Sequence, residues 1–93
     1  MIKTFRCKET NKVYERKFSK KLSHDIQRVA YRKLLMIDSA IDIDDLRIPP
    51  ANRLEKLSGD REGQYSIRVN KQFRICFLWE DGFALDVEIV DYH

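Results

Sequence analysis

The sequence predicts an α+β fold in which two N-terminal helices pack on one face of an antiparallel sheet. Three observations support this prediction. Apolar residues recur with helical spacing between residues 23 and 41, and Pro49 and Pro50 then stop that pattern. From Tyr65 to Ile89, apolar residues instead alternate with polar ones, as in strands of a half-covered sheet. The expected order is strand, helix, helix, and then three or four strands.

Length and composition limit the kind of protein. A chain of 93 residues is expected to form one domain, residues 1–93, with one modest core. The hydrophobic fraction of 43% argues against disorder. No apolar run approaches the roughly 20 residues that span a bilayer, and the first six residues lack a signal core, so we expect a cytoplasmic protein without membrane partners. Cys7 and Cys76 are expected to be reduced, buried thiols, although a disulfide is geometrically possible.

The first half of the chain predicts one strand and two helices. Residues 2–7 predict a strand and residues 8–18 a short helix. Ser23 is expected to cap the second helix, and residues 42–46 to add a turn before Pro49. The apolar face of the second helix is formed by Ile26, Val29, Ala30, Leu34, Ile37, Ala40 and Ile41.

The second half predicts a meander. Residues 53–57 are a short strand candidate and residues 58–63 a loop. A turn at residues 70–72 and a second at Asp81-Gly82 separate three longer strands, because glycine tolerates the positive φ that tight hairpins need. The side chains expected to face the helices are Tyr65, Ile67, Val69, Phe73, Ile75, Phe77, Trp79, Leu85, Val87 and Ile89.

Alternation places a polar set on the other, open face. The turn at residues 70–72 should bring Arg68 and Arg74 close together. Either arginine could pair with a carboxylate of the next strand or bind an external anion, and for Arg68 we favour the ion pair. If the last strand persists, Asp91 turns away from this face. The open face then presents Ser66, Arg68, Arg74, Cys76, Leu78, Asp86, Glu88, Val90 and Tyr92.

The net charge of +3 conceals an asymmetry. Residues 1–33 carry 11 Lys and Arg against 3 Asp and Glu, whereas residues 34–93 carry 7 against 12. A basic half often binds phosphate backbones, because each neutralised phosphate releases counterions. A solvated helix face explains the same charge equally well.

The last three residues, Asp91-Tyr92-His93, favour a functional role for Arg74. They supply an aromatic ring, an imidazole suited to proton transfer near neutral pH, and a carboxylate to orient it. A chain end without function is the alternative, and the tripeptide alone does not decide between them.

Several short motifs, in this order and spacing, resemble a known family. The chain resembles the HigB-type toxins of the RelE/ParE superfamily over nearly its whole length. The matching pieces are residues 1–5, 34–40, 45–50, 52–59, 63–70, 73–77 and 91–93.

The resemblance implies a fold, an activity and partners. The fold is the microbial RNase-like domain with βααβββ order. The activity is cleavage of messenger RNA in the ribosomal A site by attack of the 2′-hydroxyl, without a metal or cofactor. The partners are a helix-turn-helix antitoxin of the HigA type, the ribosome and messenger RNA, with operator DNA bound only through the antitoxin.

The resemblance also implies roles for single residues. Arg74 would contact the scissile phosphate and His93 would transfer a proton. Tyr92 would stack on or orient a base, and Asp91 would orient His93 or the loop.

Two positions depart from the family pattern Arg-Leu-His-x-Leu-Lys-Gly. Glu55 stands in the histidine position and Ser58 in the lysine position. Glu55 is a candidate general base or else a surface partner of Arg53 or Lys56. Because serine supplies no cation, we expect a slower nuclease than lysine-bearing relatives.

Further RNA contacts are expected from basic residues outside this group, each of which has a solvated surface position as its alternative. Their binding should weaken steeply with salt. The candidates are Arg53 and Arg68 on the strands and Lys12, Arg16, Lys20, Arg28 and Arg32 on or near the helices.

Three other functions compete with cleavage. The chain could block ribosome function or assembly without cutting, inhibit gyrase as in the ParE branch, or serve only as an interaction module in antitoxin and promoter complexes. The sequence leans towards RNA because Tyr92 and His93 would stand beside a sheet arginine.

Overall fold

The computed structural model describes residues 1–91 and confirms the predicted fold class. Two helices pack on an antiparallel sheet whose strands follow the order 1-2-3-4 within these residues. Short 3-10 turns cover Ile43–Arg47, Pro50–Asn52 and Gly59–Arg61. The helices and strands are α1 Lys8–Tyr14, α2 His24–Ser39, β1 Glu55–Lys56, β2 Gln64–Arg68, β3 Phe73–Glu80 and β4 Phe83–Asp91.

The predicted strand at residues 2–7 is present only as two isolated parallel bridges, from Ile2 to Ala84 and from Phe5 to Val87. The backbone of β4 explains the interruption. Asp86 has a φ of 52°, and its amide donates to the Thr4 hydroxyl rather than to a backbone carbonyl. A continuous ladder therefore cannot form along this segment.

Both helices end earlier than the sequence predicts. The predicted helix 8–18 stops at Tyr14, and Arg16 adopts a left-handed φ of 62° that ends the helical path. Helix α2 begins after Ser23, whose hydroxyl accepts a hydrogen bond from the Ile26 amide at 3.3 Å, as predicted. The backbone at Ala40 is extended, so Ile41 leaves the apolar face and is 85% exposed.

The core lies between α2 and the sheet. Leu34 and Ile37 of α2 are fully buried, as are Ile75, Phe77 and Val87 of the strands. Of the side chains predicted to face the helices, all but one belong to this core or pack against it.

The exception is Leu85. A β-bulge shifts the register of β4 by one residue, so that Cys76 pairs with Glu88 whereas Leu78 pairs with Leu85. The shift turns Ala84 into the core and places Leu85 on the open face beside Leu78, because one inserted residue reverses strand parity.

Both predicted hairpins are present. Asp81 and Gly82 have φ values of 50° and 83°, as a two-residue turn requires. At the other hairpin, Arg68 and Arg74 are direct partners in the β2–β3 register.

Both cysteines are free thiols; Cys76 is buried, as expected, but Cys7 is exposed. Within residues 1–91, no helix is long and apolar enough to cross a membrane.

We predict that Ser23→Ala lowers the free energy of unfolding by about 1 kcal/mol, because it removes the capping oxygen of α2. Ser58→Ala is the matched control, since Ser58 precedes a 3-10 turn but makes no side-chain capping bond. Urea denaturation of both variants measures the difference. Equal stability of the two variants would contradict the assigned cap.

Candidate functional site

A pocket of about 310 Å³ lies where the β2–β3 hairpin meets the segment leading into β1. We call it the arginine pocket. Among residues 1–91, four of its lining side chains are cationic and one is a carboxylate, which gives a formal charge of +3. Its lining residues are Arg53, Glu55, Arg68, Asn70, Lys71 and Arg74.

Arg74 is held tightly within this pocket. It is only 8% exposed. Its Nε donates to the Ser66 hydroxyl at 2.8 Å, and one Nη donates to the Arg53 carbonyl at 2.6 Å and to the Ser66 carbonyl at 3.3 Å. A buried guanidinium needs such acceptors, because desolvating an unsatisfied charged donor is costly. These bonds fix the position of the Arg74 charge.

The bond to the Arg53 carbonyl also positions β1. Arg53 follows the 3-10 turn Pro50–Asn52 in the left-handed conformation, with φ 46° and ψ 57°. Its side chain is exposed while its carbonyl is bound to Arg74. Arg74 therefore ties the backbone that carries Arg53 and Glu55 to the central strands.

Glu55 faces the same side of the sheet as the two arginines. It pairs with Ser66, whereas Lys56 pairs with Tyr65 and belongs to the opposite face. Within residues 1–91 Glu55 forms no salt bridge, so the ion pair with Arg53 or Lys56 that the sequence left open is not found. Ser58 does not line the pocket.

The predicted ion pair of Arg68 with Asp86 or Glu88 is wrong. Glu88 is engaged by Arg6 at 3.1 Å and by Arg61 at 3.2 Å, and β3 separates the strand of Arg68 from that of Glu88. Arg68 instead donates from Nε to the Asn70 carbonyl at 3.1 Å. This bond orients its side chain without neutralising its charge.

Asp91 lies on the side away from the arginine pocket, as alternation predicts. It pairs with Phe73, and its Oδ2 accepts a hydrogen bond from the side-chain Nε2 of Gln72 at 3.1 Å. Asp91 thus contacts Gln72 in the turn at residues 70–72. The predicted site residues Tyr92 and His93 lie outside the described residues.

The basic residues predicted on the helices do not line the arginine pocket. Lys12 pairs with Glu9 and Arg28 with Asp25, both at 3.2 Å. The remaining three differ in their surroundings. Arg16 lies over the Tyr31 ring, Lys20 is exposed before α2, and Arg32 lines a neighbouring pocket.

Two lining residues, Asn70 and Lys71, were not predicted as site residues. Both lie in the turn between Arg68 and Arg74, so the predicted pairing of those arginines was the signal that could have found them. The distribution of charge along the sequence did not indicate Asn70 and Lys71, because the helices carry more cations than this turn.

Comparisons with known proteins agree with this architecture. Residues 3–93 match the model of the HigB-like toxin family, described as RelE-like toxin of type II toxin–antitoxin system HigB. The chain is 35% identical to Endoribonuclease HigB of Proteus vulgaris over 94 residues, covering 100% of both chains.

Two other relatives match over part of their length. Toxin HigB-1 of Vibrio cholerae serotype O1 is 52% identical over 61 residues, which is 66% of this chain and 64% of that protein. An uncharacterized protein of Haemophilus influenzae is 46% identical over 62 residues, 67% of this chain and 61% of that protein. Each match thus spans less than two thirds of the relative.

Solved structures share the fold at low sequence identity. The YoeB–YefM complex from Staphylococcus aureus aligns with a TM-score of 0.64 and 17% identity, covering 100% of this chain and 98% of that one. A mutant of YafQ from E. coli aligns with a TM-score of 0.60 and 13% identity, covering 98% and 91%.

We predict that Arg74→Met lowers the free energy of unfolding by about 2 kcal/mol, because it leaves the buried acceptors of Ser66 and Arg53 without their donor. Arg68→Met is the matched control. It also relieves repulsion between cations but removes only one exposed hydrogen bond, and should change stability by about 0.5 kcal/mol or less. Chemical denaturation that ranks Arg68→Met as the less stable variant would refute the anchoring role of Arg74.

Proposed function

Since this chain belongs to the HigB family of RelE-like toxins of type II toxin–antitoxin systems, we propose that it is an endoribonuclease that cleaves messenger RNA on the ribosome. The observation that supports this most is the arginine pocket, which collects four cations around one carboxylate. The relative from Proteus vulgaris that aligns over the whole chain is named an endoribonuclease.

The proposed reaction is attack of a 2′-hydroxyl on the adjacent phosphate. The 2′-oxygen forms a bond to phosphorus, the bond to the 5′-oxygen breaks, and a cyclic phosphate and a free 5′-hydroxyl result. Negative charge accumulates on the phosphoryl oxygens in the transition state, where fixed cations stabilise it. Three further cations line the rim of the pocket: Arg53 and Lys71 are exposed, and Arg68 is half-buried.

Glu55 is the proposed general base. Its carboxylate faces the pocket from β1 and has no salt bridge within residues 1–91, so it is available to accept the proton of the 2′-hydroxyl. His93 remains the predicted proton donor to the leaving 5′-oxygen, and Tyr92 the predicted stacking partner of a base.

Arg74 contributes to the proposed reaction through position and charge. The family resemblance assigns it to the scissile phosphate. Its hydrogen bonds to Ser66 and to the Arg53 carbonyl hold its charge at the base of the pocket before substrate arrives. A preorganised cation of this kind needs no rearrangement during the reaction.

The proposed partners follow from the family. We propose that a helix-turn-helix antitoxin of the HigA type neutralises the chain in the cytoplasm and connects it to operator DNA. A fold relative, YoeB, was solved in complex with YefM as a toxin–antitoxin pair. The ribosomal A site is the proposed place of action.

A toxin that occupies the ribosome without cutting is the second candidate. Ser58 stands where the family pattern has a lysine, and serine supplies no cation. This departure favours weak cleavage. Mapping of RNA 5′ ends in expressing cells separates the candidates, since only the nuclease produces internal cuts in coding sequences. A DNA-damage response would instead indicate gyrase inhibition.

We predict that Glu55→Gln reduces the single-turnover rate of messenger RNA cleavage on purified ribosomes by about 100-fold or more, because an amide cannot accept the proton. Binding should be unchanged or tighter, since the pocket loses a carboxylate that would repel the phosphate. Glu62→Gln is the control, an exposed carboxylate outside the pocket.

A Glu55→Gln protein that cleaves at the parental rate would exclude Glu55 as the base. One that stops cell growth as strongly as the parent, without cleavage, would favour the non-cutting candidate.

A further inference from the structure

A second pocket, of about 360 Å³, adjoins the arginine pocket. We call it the helix pocket, because Val29, Arg32 and Lys33 of α2 form one of its walls. The opposite wall is the β2–β3 hairpin, whose residues Arg68, Asn70 and Lys71 line both pockets. The hairpin is therefore the partition between two adjoining depressions.

The helix pocket concentrates positive charge that the described part of the chain does not neutralise. Within residues 1–91, Arg32, Lys33, Arg68 and Lys71 form no salt bridge, and no carboxylate lines the pocket. Some cations elsewhere on the helices, by contrast, are paired with carboxylates. Lys12 and Arg28, for example, each bond a carboxylate three residues away.

Lys33 is the most firmly placed of these cations. Its Nζ donates to Asn52 Oδ1 at 2.6 Å, and Asn52 is itself fully buried and bonded through Nδ2 to the Leu46 carbonyl at 3.1 Å. Desolvation lowers the pKa of Lys33, and the charge of Arg32 lowers it further. A half-buried cation beside a second cation is stabilised when an anion binds between them.

Small apolar side chains complete the pocket. Val29, Ala51 and Val69 line it between the cations. A nucleotide has the matching chemistry, with a charged phosphate and an apolar sugar and base surface.

We propose that the helix pocket is a second nucleotide subsite, which binds the RNA residue next to the cleaved bond and places its phosphate against Arg32 and Lys33. The strand would cross the Arg68–Lys71 hairpin between the two pockets. This inference rests on the proposed function and extends it from one phosphate to two. An acidic protein segment is the competing occupant.

The test compares two 2′-deoxy-substituted oligonucleotides, which cannot be cleaved: a dinucleotide with one phosphate and a tetranucleotide with three. The double variant Arg32→Gln, Lys33→Gln should bind the tetranucleotide about tenfold more weakly than the parent does. It should bind the dinucleotide equally well. The salt dependence of tetranucleotide binding should also fall, by about 0.7 in log–log slope for each lost phosphate contact.

The control is Lys8→Gln, Arg47→Gln, which removes the same charge at two exposed sites outside both pockets. It should leave the length dependence unchanged. If the Arg32, Lys33 variant loses affinity equally for both oligonucleotides, or loses none, the subsite proposal is wrong. Cleavage of messenger RNA on ribosomes by the parent would still support the proposed function in that case.

Two further results would also overturn the inference. If the Arg32, Lys33 variant loses affinity for the antitoxin but not for the tetranucleotide, the occupant is a protein segment. If the parent neither binds the oligonucleotides nor cleaves messenger RNA on ribosomes, the proposed function fails together with the subsite.

Discussion

The candidate site depends on the hydrogen bonding of one buried guanidinium. Arg74 lies on a central strand, and its burial requires hydrogen-bond acceptors, among them the Ser66 hydroxyl and carbonyl. One of those acceptors is the Arg53 carbonyl, so the same interaction that satisfies the charge also fastens the segment entering β1. The exposed side chains of Arg53 and Glu55 are thereby set beside the Arg68–Lys71 hairpin. The hydrogen bond from Arg74 to the Arg53 carbonyl therefore contributes both to stability and to the geometry of the site.

The distribution of charge in space differs from its distribution along the chain. Residues 1–33 hold the excess of cations, yet the arginine pocket is built from residues 53–74. Two helical cations, Lys12 and Arg28, are each paired with an acid three residues away. Within residues 1–91, Arg53, Arg68 and Lys71 form no salt bridge, and they converge on the arginine pocket. Cations that form no ion pair among the described residues and lie beside the sheet therefore attract an anion more strongly than cations that are paired on a helix surface.

The alternation of apolar and polar residues predicted most of the sheet correctly. One face of the sheet is buried, so shifting a strand by one residue would expose its apolar side chains at a large cost in free energy. The pairing of Arg68 with Arg74 follows from that rule and from a short turn. Leu85 was misplaced because a bulge at Asp86 has no clear sequence signal. The predicted strand at residues 2–7 was wrong for the same reason, because its partner strand β4 is distorted at Asp86. The burial of Arg74 and the role of Lys33 depend on contacts with Ser66 and Asn52, which no local pattern reveals. The assignments of Tyr92 and His93 stay predictions.

The decisive measurement is NMR observation of the arginine side-chain Nε–Hε signals during titration with the uncleavable dinucleotide. The signals of Arg53 and Arg68 should shift on binding, while the Arg74 signal should stay protected from solvent exchange because its bond to Ser66 persists. Unchanged Arg53 and Arg68 signals, or an Arg74 proton that exchanges freely before RNA is added, would rule out a pocket organised by a fixed Arg74.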